Sequence, residues 1–184
     1  MRIIAGKWRG RALASPPGEA TRPTADRVRE ALFSMLTSRL GSFEGLHVGD
    51  FYAGTGALGL EALSRGARHV SFVENERVAL AVLKANVATF EAEYDSSIVP
   101  QSVENIGVAR EACDVVLLDP PYGAGLVPPA LARLQAQGWI APHALISVET
   151  GFREELDVPG FSVDVSRKRG KARLHLLRPL PWRQ

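Results

Sequence analysis

The sequence is poor in the residues and segments that mark disulfide-bonded, zinc-binding and membrane proteins. Its single cysteine, Cys113, excludes an internal disulfide and a zinc site built from cysteines. Residues 1–20 lack the long apolar stretch of a signal peptide, and no segment of the 184 residues is long and apolar enough to suggest a membrane span. We therefore expect a cytoplasmic protein with no membrane partner, in which Cys113 is a small buried residue beside a strand.

Metal-ligand spacing and internal repeats are also missing. The four histidines are scattered along the chain, so we expect packing or surface roles for His47, His69, His143 and His175. The composition is that of an ordinary globular domain without low-complexity tracts. A chain of this length predicts one main domain with a substantial core, and nothing in it requires more than a monomer.

Charges of the two signs are nearly balanced but unevenly distributed. Residues 1–30 carry seven Lys/Arg and three acidic residues, and residues 166–184 carry seven Lys/Arg and no acidic residue. Residues 31–165 contain eight basic and seventeen acidic residues, a net charge of −9. Two basic ends around an acidic body favour phosphate contacts with a polyanion. The alternative is solubilising charge on terminal hairpins.

The first forty residues predict a hairpin followed by a helix. The stretch "MRIIAGKWRGRALASP" predicts two short strands around 6–10, and we assign residues 1–21 to a basic N-terminal β-hairpin extension and 22–184 to the main domain. A helix is predicted within 22–41, where Thr24 can cap its start and Gly41 can end it. Its apolar face consists of Val28, Leu32, Met35, Leu36 and Leu40.

After Gly45, short apolar strands alternate with helices. Strands are predicted at 46–52, 69–74, 96–100, 113–119 and 144–150, helices at 58–66, 77–90 and 128–138, and two closing strands around Gly170. The helix at 77–90 is expected to bury Val78, Val82, Ala85 and Thr89. This alternation predicts a Rossmann-like, doubly wound α/β fold whose mostly parallel seven-stranded sheet ends in an antiparallel C-terminal hairpin. Its ligand should lie at the carboxyl ends of the strands, where the strand order reverses.

A glycine-rich loop follows the first strand of this alternation. In "DFYAGTGALG", Gly54, Gly56 and Gly59 form the pattern G-x-G-x-x-G, which suits a tight turn near a ligand. Glu74 stands twenty residues after Gly54, where a carboxylate can accept hydrogen bonds from a ribose. The alternative is an ordinary strand–turn–helix corner. Asp50 favours S-adenosyl-L-methionine over a dinucleotide, because a carboxylate suits a cationic ligand better than a pyrophosphate.

The stretch "LLDPPYGAG" places unusual residues after the fourth strand. An exocyclic amine of a nucleobase is a poor nucleophile, and two acceptors for its N–H bonds would direct its lone pair at a methyl donor. Asp119 offers one acceptor and the Pro120 carbonyl the other, held in place by Pro120 and Pro121. Tyr122 can stack on the base. The alternative is a turn that only ends the strand.

These motifs resemble those of one family. Asp119-Pro120-Pro121-Tyr122 is similar to the amino-methyltransferase motif of class I S-adenosylmethionine-dependent enzymes. Together, "RPTADRVREALF" (22–33) and "YAGTGALGLEALSRGA" (52–67) resemble the bacterial 16S ribosomal RNA guanine-N2-methyltransferases of the small subunit. The similarity covers nearly the whole chain. It implies a class I methyltransferase fold, S-adenosyl-L-methionine as cofactor, and 16S rRNA as partner, within the small ribosomal subunit or an assembly intermediate.

The resemblance also implies roles for particular residues. Catalysis and binding of the guanine fall to Asp119, Pro120, Pro121 and Tyr122. The cofactor is expected on Asp50, Ala53, Gly54, Thr55, Gly56 and Glu74, and after the third strand on Ser102 and Val103. The RNA substrate is expected on Arg22, Thr24 and Arg27, with Pro23 beside them, and on Arg167, Lys168, Arg169 and Lys171 of the last hairpin.

The chain departs from the family pattern in two places. Ser102, with Glu104 nearby, stands where relatives often have an acidic or amide residue for the adenine amino group, and Arg169 replaces an aromatic residue before Gly170. For Arg29 a solvated helix face and a functional role both stay open, and for Glu149 a solvated strand end is expected. Trp8 is expected to pack on its neighbour rather than to stack on RNA.

Three other functions stay open from the sequence. The Asp-Pro-Pro-Tyr motif also serves adenine-N6 methylation of RNA or DNA. A nucleotide-dependent oxidoreductase would use the same glycine loop but would leave the motif and the basic ends unexplained. An rRNA-binding assembly factor could retain the cofactor pocket without turnover.

Overall fold

The structure, a computed structural model, describes residues 1–18 and 23–181, with only the backbone of Pro23 and Thr24. In chain order the elements are α1 (Pro23–Leu40), β1 (His47–Phe51), α2 (Ala57–Ser64), β2 (His69–Val73), α3 (Arg77–Thr89), β3 (Ser96–Val99), a short 3-10 helix (Val103–Asn105), β4 (Cys113–Leu118), α4 (Val127–Ala136), β5 (Ile140–Gly151), β6 (Phe161–Arg169) and β7 (Ala172–Pro179). In this part of the chain, no helix combines the length and the apolarity needed to cross a bilayer.

The strands form a seven-stranded sheet in the order β3-β2-β1-β4-β5-β7-β6. Strands β1 to β5 pair in parallel, and β7 runs antiparallel to both β5 and β6. The chain builds outward from β1 to β3 and then returns to place β4 on the other side of β1. The predicted doubly wound fold with its antiparallel C-terminal hairpin is confirmed, and the strand order reverses between β1 and β4.

Both faces of the sheet are covered, which explains why its strands are apolar on both sides. One face packs against α1, α2 and α3 through residues such as Leu36, Leu60, Leu83 and Phe72. The other face packs against α4, where Leu131 and Leu134 meet Ile146. Cys113 is buried in β4, as predicted.

The predicted buried face of α3 is wrong. Val78 is 50% exposed, and the buried residues of the helix are Leu83, Asn86 and Val87. Asn86 is buried because its amide is fully used: it donates to the carbonyls of Ala14 and Thr55 and accepts from the Ala14 N–H. A polar residue on the core side interrupts the apolar periodicity from which the face was predicted.

The two strands predicted in the N-terminal extension are wrong in extent. A hairpin-like return is present, since the Ile3 N–H donates to the Arg11 carbonyl at 2.9 Å, but only one isolated bridge joins Arg2 to Ala12. The reason is that the intervening backbone binds α2 instead of a partner strand. Lys7 N–H donates to the Ser64 carbonyl at 2.9 Å, and Trp8 N–H donates to the Ser64 hydroxyl at 3.0 Å.

The ends of α1 agree in part with the prediction. Gly41 ends the helix with φ +76°, and its N–H donates to the Thr37 carbonyl. The helix begins at Pro23, however, so the backbone of Thr24 lies in the first turn and not at the capping position before it. Trp8 packs on Phe90 with ring centroids 5.0 Å apart, as expected.

Candidate active site

The candidate site lies at the carboxyl ends of β1, β2, β4 and β5. Asp50 is the penultimate residue of β1. The last residue, Phe51, pairs with Leu118 at the end of β4, so Asp119 lies beside the start of the glycine loop. The carboxylates are close enough to influence one another: Glu74 raises the pKa of Asp50, and Glu149 and Asp50 raise the pKa of Asp119. The strand order therefore brings the two predicted motifs into one cleft.

Glycine is required for different reasons at the three positions of the loop. A Cβ on Gly56 would lie 2.5 Å from Leu83 Cδ1, and one on Gly59 would lie 2.3 Å from Phe72 Cε1, so both glycines allow α2 to pack closely. A Cβ on Gly54 would meet no atom within 4 Å. Gly54 has φ +57°, so it sits in the left-handed region with open space above it. Of the three, Gly54 is the one free to face a ligand.

Glu74 follows β2 and closes the base of the loop. Its Oε1 accepts a hydrogen bond from Gly54 N–H at 2.8 Å, and its Oε2 accepts from Asn75 N–H at 2.9 Å and Glu76 N–H at 2.8 Å. These bonds fix the carboxylate against the backbone. Each carboxylate oxygen has two lone pairs, so Oε1 retains capacity for a ribose hydroxyl.

Asp50 is almost completely buried, with 1% of its surface exposed. Its Oδ2 accepts a hydrogen bond from Gly59 N–H in the first turn of α2 at 2.9 Å. Burial raises the pKa of Asp50 to about 8, against the lowering effect of the Gly59 bond, and the negative charge of Glu74 adds to the increase. Asp50 is thus a neutral acid near pH 7 that a nearby cation would ionise.

Asp119 is half-buried directly after β4. Burial raises its pKa well above the ordinary value, and the charge and hydrogen bonding of Glu149 raise it further. An acid with a raised pKa is a better proton acceptor once it is ionised. The expectation that Glu149 is merely solvated is wrong, since its Oε1 accepts a hydrogen bond from the Tyr122 hydroxyl at 2.5 Å. Glu149 is not at the end of its strand, because β5 continues to Gly151.

The prolines and Tyr122 shape a small cavity next to Asp119. Pro120 is buried and Pro121 exposed, and Tyr122 is 51% exposed, which leaves ring surface free for stacking. Burial and the bond to Glu149 raise the pKa of the Tyr122 hydroxyl. The cavity holds about 140 Å³ and is lined by Pro120, Tyr122 and Glu149 together with the start of α4. It can accommodate a flat ring beside the Asp119 loop.

The segment after β3 contains the predicted cofactor residues Ser102 and Val103. Ser102 precedes the short 3-10 helix, and Val103 is buried. Tyr52 was not predicted from the sequence. Its φ of +61° is unusual for a residue other than glycine, and its hydroxyl donates to Glu104 Oε1 at 2.5 Å. This bond joins the glycine loop to the Ser102 segment. The sequence did offer one indication of this role, because Tyr52 is an aromatic residue between the end of β1 and Gly54.

The predicted substrate residues are only partly described. Arg22 and the side chain of Thr24 lie outside the described residues, and Arg27 is exposed on α1. Arg167, Lys168, Arg169 and Lys171 are all exposed around the β6–β7 turn. Arg29 does not lie on a solvated face: it is 4% exposed and pairs with Asp26 and Glu61, because α1 turns this side towards α2 and the N-terminal extension.

The described residues contain no cluster of three or more metal-ligating side chains. His47 and His175 are buried with hydrogen-bonded rings, and His143 is exposed beside Asp114. A cavity of about 620 Å³ lies elsewhere, against the amino ends of β1 and β2, and is lined by His47, His69 and Arg110 among others. None of the predicted site residues lines this cavity.

Comparison with known proteins places the chain among methyltransferases. The family model described as conserved hypothetical protein 95 matches residues 1–178. Ribosomal RNA small subunit methyltransferase D of Escherichia coli strain K12 is 39% identical over 150 residues, which cover 82% of this chain and 74% of that protein. The protein of the same name from Haemophilus influenzae is 39% identical over 163 residues, covering 86% and 83%.

Solved structures show the same architecture. The methyltransferase yhhF from Escherichia coli superposes with a TM-score of 0.84 at 35% identity, with 97% of each chain covered. The rRNA methyltransferase aviRa from Streptomyces viridochromogenes has a TM-score of 0.71 at 20% identity, covering 90% of this chain and 88% of that one. The latter similarity concerns the fold alone.

Proposed function

This chain belongs to the family described as conserved hypothetical protein 95, and from that premise we propose that it transfers the methyl group of S-adenosyl-L-methionine to the exocyclic N2 amine of a guanine in 16S rRNA. Two of its relatives are named as small-subunit rRNA methyltransferases. The observation that carries the proposal is the position of Asp119-Pro120-Pro121-Tyr122, beside the glycine loop at the point where the strand order reverses.

The residues around the glycine loop fit the cofactor. Gly54 leaves open space at the loop, Glu74 has acceptor capacity for the ribose, and Asp50 would pair with a cationic group. Ala53, Thr55 and Gly56 complete the loop, and Ser102 and Val103 would border the adenine. Bound there, S-adenosyl-L-methionine supplies an electrophilic methyl group. The Tyr52–Glu104 bond holds the two cofactor-binding segments together.

The residues after β4 would prepare the amine. The Asp119 carboxylate and the Pro120 carbonyl would each accept a hydrogen bond from one N–H group of the amine. These two bonds would direct the nitrogen lone pair towards the methyl group. The bound cofactor would supply the methyl group, with its sulfur as the leaving group, so the methylated nitrogen would carry a positive charge. It then gives one proton to Asp119, whose raised pKa suits that transfer. Tyr122, oriented by Glu149, would stack on the extruded base.

The acidic cavity also favours guanine as the acceptor base. The Watson–Crick edge of guanine presents an N1–H donor next to the N2 amine, whereas adenine presents an acceptor next to its N6 amine. Glu149 lines the cavity, and Asp119 lies directly before the lining residue Pro120 and close enough to Glu149 for each carboxyl to affect the other. Adenine-N6 methylation remains the competing reaction, since the same motif would serve it.

The substrate would be RNA bound by the basic ends. Arg27 and the exposed β6–β7 turn, with Arg167, Lys168, Arg169 and Lys171, offer phosphate contacts around an acidic cleft. Arg22 and Thr24 belong to the same proposed surface. We place the reaction in the cytoplasm, on 16S rRNA within the small ribosomal subunit or an assembly intermediate, with the enzyme acting as a monomer.

The variant Asp119→Ala tests the proposed roles of the two motifs. We expect methyl transfer to fall by at least about 100-fold, because the amine loses its acceptor, while cofactor affinity stays near that of the wild type. Calorimetric titration with S-adenosyl-L-methionine and single-turnover methylation of unmodified small subunits measure the two quantities. Asp164→Ala, an exposed acid on β6, is the control. Loss of cofactor affinity in proportion to activity would contradict the assignment of Asp119.

A further inference from the structure

The cleft has an electrostatic problem that the proposed function must overcome. Its carboxyl groups, Asp50, Glu74, Asp119, Glu149 and Glu154, lie at or near the carboxyl ends of the strands. They suit the donor groups of a base edge, but the target nucleotide also brings negatively charged phosphates. Those carboxyl groups that are ionised repel the phosphates, so we expect cations close to the base cavity to hold the phosphates away from them.

Phe152 lies where the base cavity meets the basic β6–β7 turn. The segment that contains it is bound to the Tyr122 loop, because Tyr122 donates to Glu149 at 2.5 Å and Gly123 N–H donates to Glu154 at 2.7 Å. The same segment is bound to the hairpin. Phe152 N–H donates to the Lys171 carbonyl at 3.0 Å, and Arg173 Nε donates to the Phe152 carbonyl at 3.2 Å. Phe152 is therefore fixed to both surfaces.

Two exposed cations converge on the Phe152 ring. Lys168 Nζ lies 4.5 Å from the ring centroid, and the guanidinium carbon of Arg153 lies 5.0 Å from it. Neither side chain forms an ion pair with a residue in the described part of the chain, although Glu154 and Glu155 follow Arg153 in the sequence. Attraction to the face of the ring opposes the mutual repulsion of the two cations.

We propose that Phe152, Arg153 and Lys168 form a phosphate clamp, which binds the RNA backbone of the nucleotide beside the target base. The inference rests on the proposed function, because it assumes an RNA substrate. The ring brings two cations from different segments, the β5–β6 connection and the β6–β7 hairpin, to one place before RNA arrives. Phe152 and Arg153 lie between Glu149 and Glu154, the two residues that bind the Tyr122 loop. Phosphate binding by the clamp is therefore coupled to stacking of the base on Tyr122 through these hydrogen bonds.

The test uses the full chain with the variants Arg153→Met, Lys168→Met and Phe152→Leu, and with Lys84→Met as the matched control. Lys84 is an exposed lysine on α3, on the other part of the sheet. KM and kcat are measured on unmodified small subunits at several salt concentrations. Each cation removed should flatten the salt dependence of KM, so that the increase in KM between about 50 and about 200 mM salt becomes roughly threefold smaller per lost contact.

Three results together identify a clamp. Each clamp variant raises KM while kcat at saturating RNA stays within about twofold of the wild type. Phe152→Leu flattens the salt dependence although it removes no charge, because Arg153 and Lys168 lose their shared platform. Arg153→Met has a smaller effect in the Phe152→Leu background than in the wild type, as expected for coupled residues. Lys84→Met behaves like the wild type.

The failures of the two proposals are distinguishable. If the wild type methylates RNA but the clamp variants keep its salt dependence and its KM, the clamp is refuted and the proposed function stands. If the wild type binds the cofactor and methylates no RNA, the proposed function itself is refuted. Should Phe152→Leu fold poorly, Arg153→Met and Lys168→Met still test the clamp, and an unchanged KM in both would overturn it.

Discussion

Glu61 on α2 provides a quantitative test of how the N-terminal extension is held on the domain. The side chain is fully buried. Its Oε1 accepts from Ile4 N–H at 2.8 Å, and its Oε2 accepts from Ala5 N–H at 3.1 Å and from Arg65 Nε at 2.9 Å. The buried Arg29 contributes a further contact, with Nε 3.6 Å from Oε1. One carboxylate thus accepts hydrogen bonds from the N-terminal extension and from Arg65, and it forms an ion pair with Arg29, whose buried Nε has no hydrogen-bond partner.

Replacing Glu61 by alanine would remove the acceptor and leave its partners in place. Breaking a buried ion pair by deleting one partner costs about 3–5 kcal/mol, since a buried charge loses its compensation. Each backbone N–H left without an acceptor costs about 1–3 kcal/mol when it is buried. The Ile4 and Ala5 groups are only partly buried and can regain water, so we take the ion-pair range for the whole change.

We expect Glu61→Ala to lower the free energy of unfolding by about 3–5 kcal/mol. For a chain of this size that corresponds to a decrease in Tm of roughly 6–20 °C. Chemical denaturation and thermal scans measure the change. The control is Asp164→Ala, which breaks the Arg39–Asp164 pair of 2.9 Å whose side chains are 36% and 38% exposed. That variant should lose about 1 kcal/mol or less. Equal stability losses in the two variants would refute the reasoning from burial.

Two further predictions concern the cofactor site. In the folded protein the pKa of Asp50 is about 8 against an ordinary value of 3.8, so the stability of the wild type is highest below the ordinary pKa and is lost progressively as the pH rises to about 8, where the folded state also ionises. Without cofactor, Asp50→Asn should therefore gain stability relative to the wild type as the pH rises from about 4 to about 8 in thermal scans, and a difference that does not change over this range would refute the raised pKa. Gly54→Ala should cost only about 1 kcal/mol of stability but weaken S-adenosyl-L-methionine binding in calorimetry, whereas Gly56→Ala should destabilise the fold more, through its contact with Leu83. Equal effects of the two alanines on stability would contradict the separate roles of the glycines.

The sequence was sufficient for the order of elements and for the two main motifs. Alternating apolar strands and helices predict a parallel sheet, and parallel strands place Asp50, Glu74 and Asp119 at the same edge. The antiparallel hairpin followed from two strands around a single glycine. These inferences depend on local periodicity and on chain order, both of which are readable along the sequence.

Other features depend on partners far away in the chain. The N-terminal strands were overpredicted because their backbone donors bind Glu61 and Ser64, more than fifty residues later. The buried face of α3 was missed because Asn86 is satisfied by Ala14 and Thr55. The sequence predicts a solvated Glu149 because the contact with Tyr122 forms only when β5 lies beside β4. Hydrogen bonds between residues that are distant in sequence cannot be predicted from the hydrophobic periodicity of the chain.

The most direct test of the central claim is the identity of the methylated nucleoside. Labelled S-adenosyl-L-methionine is incubated with unmodified small subunits, naked 16S rRNA and duplex DNA in parallel, and the products are digested to nucleosides and separated by mass and retention. We predict N2-methylguanosine from at least one ribosomal substrate and no label in DNA. N6-methyladenosine, label in DNA alone, or no label despite bound cofactor would contradict the account.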